Sequence, residues 1–264
     1  MNRIEEKFKE LKKGGRKGFI PFITWGDPNL TTSKDLVFSL EKAGADIIEL
    51  GVPFSDPIAD GPTIQASSQR ALTNKIGLKK VIQCAKDIRK KSPIPLALLS
   101  YFNPIYKFGI KNFIKESKNV VDGVVIPDLP PEEAKLLKGS GDDELPLIFL
   151  LAPTSTEKRI KLVSQFSQGF IYVVSVSGVT GARKTIPYKI KNLILKIRNF
   201  TEKPICLGFG ISTPEQVKVV KDWVDGVIVG SALVNIIEKY AKNKKLMMEE
   251  VEKFTKNLKE ALSS

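Results

Sequence analysis

Apolar residues in this chain come in short unbroken runs rather than in alternation. Eight such runs fall at 18–24, 46–50, 95–100, 123–126, 146–151, 170–174, 204–208 and 226–229, all rich in Ile, Val, Leu and Phe. Unbroken runs of this length predict parallel strands buried on both faces. Between most of them lie amphipathic segments with charged outer faces, as at 32–43, 78–90, 157–166, 187–200 and 214–221. Ser33, Thr156 and Thr213 stand where helix N-caps are expected, and Pro214 suits a first helical position. Eight strands alternating with helices predict a (β/α)8 TIM barrel, a single domain over 1–264. Segment 4–12 is expected to form an extra N-terminal helix plugging the barrel's base, and 233–262 to supply closing helices. A doubly wound sheet is the alternative, weakened because no G-x-G-x-x-G follows the first strand.

Composition narrows the chemistry. A chain of 264 residues holds a large core and suits one barrel. No apolar run approaches the ~20 residues of a membrane span. The opening Met-Asn-Arg-Ile-Glu-Glu-Lys lacks the apolar core of a signal peptide, so a cytoplasmic location is expected. Histidine is absent. That excludes a Ser-His-Asp triad, a Cys-His pair and any His-ligated metal, leaving acid–base work to carboxylates, Lys, Tyr or Cys. The two cysteines, Cys84 and Cys206, make no disulfide framework and read as buried small hydrophobes. The net charge is +13, but the lysines are spread over nearly every helical segment with no aromatic-interleaved stripe. Solvated outer faces explain them better than nucleic-acid binding, and the excess charge favours anionic substrates or an acidic partner.

Barrel enzymes carry their sites at the C-terminal ends of the strands. Here those ends carry Thr24, Asp27, Glu49, Tyr101, Asn103, Asp128, Thr154, Ser175, Ser177, Gly208, Gly210, Gly230 and Ser231. Strand seven runs out in Gly208-Phe-Gly-Ile-Ser-Thr-Pro and strand eight in Gly230-Ser-Ala. Glycine backbones backed by helix N-termini suit an anion, and these two loops are the usual phosphate cradle of the fold. Ordinary turn glycines are the alternative. The loop Ser175-Val-Ser-Gly-Val-Thr-Gly-Ala-Arg-Lys suits a mobile lid, or a connection of no function; Arg183 and Lys184 in it meet an anion or merely solvate the loop.

Glu49 ends an apolar run, where an unpaired carboxylate is costly or has its pKa pushed up. Asp60 follows eleven positions later, across a loop stiffened by Pro53 and Pro57. Such a loop folds back so that both carboxylates face one pocket, with burial raising the glutamate towards the working pH of a general acid. The alternatives are a buried ion pair with a barrel lysine for Glu49 and a loop cap binding backbone N–H groups for Asp60. A carboxylate metal site is disfavoured, because no second cluster of oxygen ligands lies nearby. The residues alone thus lead to a barrel lyase or isomerase using two carboxylates on a small phosphate ester.

The segment Glu49-Leu-Gly-Val-Pro-Phe-Ser-Asp-Pro-Ile-Ala-Asp-Gly-Pro-Thr-Ile-Gln resembles the signature of the tryptophan synthase α subunit family. Pro21-Phe-Ile-Thr-Trp-Gly-Asp-Pro, Ile126-Pro-Asp-Leu-Pro-Pro-Glu-Glu, Ala152-Pro-Thr-Ser-Thr, Tyr172-Val-Val-Ser-Val-Ser-Gly-Val-Thr-Gly, Gly208-Phe-Gly-Ile-Ser and Val229-Gly-Ser-Ala match in order, so the resemblance covers the whole chain. It implies a (β/α)8 lyase that cleaves indole-3-glycerol phosphate to indole and glyceraldehyde 3-phosphate, a retro-aldol step with no cofactor in this chain. It implies Glu49 as general acid–base at indole C3 and Asp60 at the indole N1–H. Gly181, Gly210, Gly230 and Ser231 would hold the phosphate, and Phe22, Leu99 and Tyr172 would form the indole pocket. Thr180 would close the lid on Asp60. The resemblance also implies an α2β2 complex whose pyridoxal-phosphate β subunit receives indole through a tunnel, with Pro53, Asp56 and Asn103 facing that partner. Trp25 departs from the family's usual smaller aliphatic residue; near the pocket mouth it would either narrow the site or pack under the first loop. Two rival readings remain: an inactive barrel that only activates the partner, and a different barrel acting on a phosphorylated sugar or anthranilate derivative.

Overall fold

The computed structural model describes residues 2–137, 145–174, 188–208 and 210–263. Its strands are β1 (Gly18–Thr24), β2 (Ile48–Gly51), β3 (Leu96–Leu99), β4 (Gly123–Val125), β5 (Leu147–Ile148), β6 (Leu150–Leu151), β7 (Ile171–Val174), β8 (Ile205–Gly208) and β9 (Gly226–Val229). All the pairings are parallel, in the order β5-β4-β3-β2-β1-β9-β8-β7-β6. The two ends of that order, β5 and β6, flank the single residue Phe149, so the sheet closes through one chain segment into the expected barrel.

Side chains alternate between two cores. Phe19, Ile23, Ile48, Leu50, Leu96 and Leu98 point outward into the layer under the helices. Ile20, Ile47, Ala97, Val125, Ile148, Phe170, Tyr172 and Ile228 fill the barrel. Helix α1 (Arg3–Lys13) places Ile4, Phe8 and Leu11 in that inner cluster and so closes the barrel's base. Each of these side chains is buried, which is worth about 1.5–3 kcal/mol apiece. Strict alternation on β2 then sends Glu49 inward, two positions above Ile47.

The helices between strands are α2 (Leu30–Lys42), α3 (Pro62–Thr73), α4 (Leu78–Arg89), α5 (Phe102–Phe108), α6 (Ile110–Ser117), α7 (Glu157–Phe166), α8 (Tyr188–Arg198), α9 (Pro214–Val220) and α10 (Ser231–Lys239), and α11 (Lys244–Ser263) closes the shell. Thr156 and Thr213 are N-caps; Thr213 forms a reciprocal capping box with Gln216, and Pro214 takes the first turn. Ser33 is not a cap. Helix α2 starts earlier, with Asn29 accepting from Thr32 N, and the Ser33 hydroxyl instead accepts from Gly26 N at 2.9 Å. Both cysteines are buried and free, Cys84 on α4 and Cys206 inside the barrel.

The N-terminal ends of the strands share a device that the hydrophobic pattern does not reveal. Asp46, Asp122 and Asp225 accept from the backbone N–H of Phe19 (2.7 Å), Leu96 (2.9 Å) and Ile205 (2.8 Å). Each is paired with a cation: Lys259 for Asp46, Arg89 and Arg3 for Asp122, and Arg198 for Asp225. Asp46 and Asp122 are buried and Asp225 is half-buried, and each carboxylate at this end has its own cation.

Candidate active site

A cavity of about 190 Å³ opens at the opposite end of the barrel. Phe22 from β1, Glu49 from β2, Leu99 from β3 and Tyr172 from β7 form its floor, with Ile228 from β9. Asp60, Thr63 and Ile64 border it where the loop after β2 turns into α3. Gly210, Ile211 and Ser212 border it from the loop after β8, and Gly230, Ser231, Ala232 and Asn235 from the start of α10. Eight residues singled out from the sequence, Phe22, Glu49, Asp60, Leu99, Tyr172, Gly210, Gly230 and Ser231, therefore meet at one cavity.

Glu49 is 1% exposed, and neither carboxylate oxygen has a hydrogen-bond partner. It is therefore not the ion pair allowed by the sequence. Burial first, and the nearby charge of Asp60 second, push its pKa from the ordinary 4.5 to about 8. Asp60 is partly exposed and is raised to about 6 by burial, against the opposing effect of a hydrogen bond from the Tyr101 hydroxyl. Near pH 7 the pair thus holds one protonated and one ionised carboxyl group, a division of labour suited to acid–base chemistry.

The loop-cap alternative for Asp60 falls to its neighbour. Tyr101, at the end of β3, accepts from Ala59 N at 3.0 Å while its hydroxyl meets the Asp60 carboxylate. One phenol therefore fixes both the turn and the carboxylate. Its own pKa is raised by burial and by Asp60, so it stays neutral and donates. Tyr172 is likewise held neutral by burial and the charge of Glu49.

The glycines divide by role. A Cβ on Gly208 would lie 2.5 Å from the Tyr172 ring, so this glycine serves the packing of the floor. Gly210 has φ 81°, a left-handed conformation that glycine adopts without cost. Gly230 and Ser231 begin α10, whose N-terminus has no side-chain cap and opens on the cavity. Unfilled N–H groups and the helix dipole there suit an anion.

Other singled-out residues lie elsewhere. Pro53 is buried in the loop after β2, away from the cavity lining; Asp56 and Asn103 are exposed. Thr180 and Gly181, with Ser175, Ser177, Arg183 and Lys184, lie outside the described residues. Trp25 is fully buried beside Cys84 in the outer layer and does not border the cavity. The narrowing of the mouth that the sequence allowed does not occur. Thr63 and Ile64, inside the Glu49–Gln65 motif but given no role from the sequence, and Asn235, outside every motif, also line the cavity. Asn235 had a signal: it is a polar residue four positions after Ser231, hence on the same helix face. Among the described residues, no group of three or more carboxylate or thiol side chains is placed to hold a metal ion.

The sequence model of the family described as "Tryptophan synthase alpha chain" matches residues 8–263. The chain belongs to that family. It is 53% identical over 264 residues to the tryptophan synthase alpha chain of Thermoanaerobacter sp. (strain X514), covering 99% of this chain and 100% of that one. The solved tryptophan synthase subunit alpha of Legionella pneumophila str. Paris superposes with a TM-score of 0.89 at 33% identity, covering 100% of this chain and 99% of that one. A structure from Aquifex aeolicus VF5 has a TM-score of 0.88 at 41% identity, with 99% of each chain covered. As a member of that family, the protein is a carbon–carbon lyase of the indole-3-glycerol-phosphate-cleaving type, acting in tryptophan biosynthesis.

Proposed function

We propose that Glu49 and Asp60 carry out the α reaction, the cleavage of indole-3-glycerol phosphate to indole and glyceraldehyde 3-phosphate, with no cofactor in this chain. The observation that carries this reading is Glu49: a buried, unpartnered carboxyl group with its pKa near 8, facing a cavity of ligand size. Protonated at neutral pH, it would deliver its proton to indole C3. The ring becomes cationic, and Asp60, ionised near pH 7, accepts the N1–H hydrogen bond and stabilises that charge. The Glu49 carboxylate then takes the proton of the adjacent glycerol hydroxyl. The carbon–carbon bond breaks, its electron pair returns to the ring, and the hydroxyl carbon leaves as an aldehyde. The steps are redox-neutral and return Glu49 to its starting state, so two carboxylates suffice.

Phe22, Leu99 and Tyr172 would flank the indole. Gly210, Gly230 and Ser231, with Gly181, would hold the phosphate, and Thr180 would bond Asp60 when the site closes. A pyridoxal-phosphate β subunit would take the indole through a tunnel within an α2β2 assembly in the cytoplasm. The loop after β2 and the start of α5 form the surface proposed for that partner, with Asp56 and Asn103 exposed on it and Pro53 buried beneath, shaping the loop. It carries Ile58 at 82% and Tyr106 at 66% exposure, apolar area that an interface would cover. Among the described residues, no helix is long and apolar enough to cross a membrane.

The decisive test is Glu49→Gln. Indole release should fall by at least about 100-fold while binding of glycerol 3-phosphate survives; undiminished turnover would refute the assignment.

A further inference from the structure

Helices α3 and α10 meet twice. Their first turns border the cavity, through Thr63 and Ile64 on one and Ser231 and Asn235 on the other. Seven residues further along each, Arg70 Nη1 donates to Glu238 Oε1 at 2.7 Å. Seven residues is two helical turns, so Thr63 and Arg70 share a face of α3, as Ser231 and Glu238 share a face of α10. Arg70 is itself fixed. Its Nε and Nη2 donate to the two carboxylate oxygens of Asp27, both at 2.8 Å. Asp27 is 3% exposed on the loop after β1. Nearby, Thr24 bonds Ser67 at 2.6 Å, and Asn74 donates to Pro28 O at 2.9 Å, so α3 is fastened along its length to the end of β1. α10 joins this frame through Glu238.

We propose that Arg70 is a positioning residue that sets the span between the Asp60 end of the cavity and the Gly230–Ser231 end. The bidentate fork holds the guanidinium in one plane, and its remaining nitrogen holds α10 at a fixed distance from α3. This rests on the reading that α10's first turn receives the phosphate. A ligand gripped at both ends is sensitive to that span, whereas the proton transfers at Glu49 are local to β2. Loosening the clamp therefore weakens binding more than chemistry.

Two variants test this with the full-length chain. Glu238→Ala frees α10 while the buried Asp27 stays paired, so the fold is retained; Arg70→Lys keeps the cation and loses the fork. KM for indole-3-glycerol phosphate, and the dissociation constant of inorganic phosphate, should rise about two- to five-fold in Glu238→Ala and further in Arg70→Lys. In both, kcat should change less than KM, and the thermal midpoint of Glu238→Ala should match the parent's. Unchanged KM and phosphate affinity in both variants, or a fall in kcat at unchanged KM, overturns the proposal. A parent chain that cleaves the substrate but binds no phosphate overturns the phosphate reading and this inference with it.

Discussion

Replacing Glu49 by Gln should stabilise the protein, and by an amount that depends on pH. The side chain is 1% exposed, and its pKa moves from 4.5 to about 8 on folding. Below pH 4.5 the carboxyl group is protonated in both states and folding carries no penalty. Between 4.5 and about 8 the unfolded chain ionises and the native chain does not, so native stability falls as pH rises. Above about 8 both states are ionised and the slope vanishes. Each unit of pH within the window costs about 1.4 kcal/mol, which by pH 7 amounts to about 3 kcal/mol. Glutamine has the same shape and no such term. Urea unfolding of the parent and Glu49→Gln at pH 5, 6, 7 and 8 should show the variant's advantage widening steadily, then levelling. An advantage that does not change with pH would show that Glu49 is solvated or paired in solution, and the acid–base argument would lose its basis.

The same pair predicts the activity profile. Turnover needs Glu49 protonated and Asp60 ionised, so kcat/KM should rise through about 6 and fall through about 8, values that belong to the coupled pair. Tyr101→Phe removes the hydrogen bond that holds the Asp60 pKa down, so the acid limb should move to higher pH; an unmoved limb refutes that link. Gly230→Ala meets only the Phe22 side chain, at 3.4 Å, so its urea midpoint should match the parent's while phosphate affinity drops about tenfold. Unaltered phosphate affinity in a folded Gly230→Ala would remove that glycine from the anion site. Lys259→Ala leaves buried Asp46 without its cation and should cost about 3 kcal/mol in urea unfolding; a loss below 1 kcal/mol would show the pair to be incidental.

Most of the barrel was legible because one physical signal, burial on both faces, marks every strand. The β2 run could be placed, and alternation then sent Glu49 inward. What was not legible depends on contacts between distant segments. Ser33 looks like a cap because its type suits one, yet the hydroxyl is claimed by Gly26, and Asn29 caps instead. Gly208 and Gly230 look alike in sequence, but a Cβ at the first would collide with Tyr172, whereas at the second it would make only ordinary contact with Phe22 at the edge of the cavity. Tyr101 stood visibly at a strand end, but its grip on both Ala59 and Asp60 exists only once the loop after β2 has folded back. The Arg70 clamp joins residues 27, 70 and 238, and no local pattern connects them.

Buried carboxylates in this barrel are treated in two opposite ways. At the N-terminal end, buried Asp46 and Asp122 and half-buried Asp225 each have a cation and a backbone donor, and on the loop after β1 buried Asp27 has Arg70. At the C-terminal end, Glu49 is given neither, and the protonated form prevails. Residue type is not the cause, since either acid could occupy either environment. What differs is whether a surrounding helix delivers an arginine or lysine to the carboxylate: Lys259, Arg89 and Arg198 come from α11, α4 and α8, and Arg70 of α3 reaches Asp27. Glu49 instead faces a cavity lined by glycine backbones, a phenol and a helix N-terminus. Cations beside the aspartates stabilise the barrel, and the absence of one at Glu49 leaves an acid that can give up its proton near neutral pH. A lysine introduced within reach of Glu49, at Leu99, should therefore lower its pKa and abolish indole release while leaving the barrel folded; retained activity in Leu99→Lys would show that the missing cation is not what sets the acid.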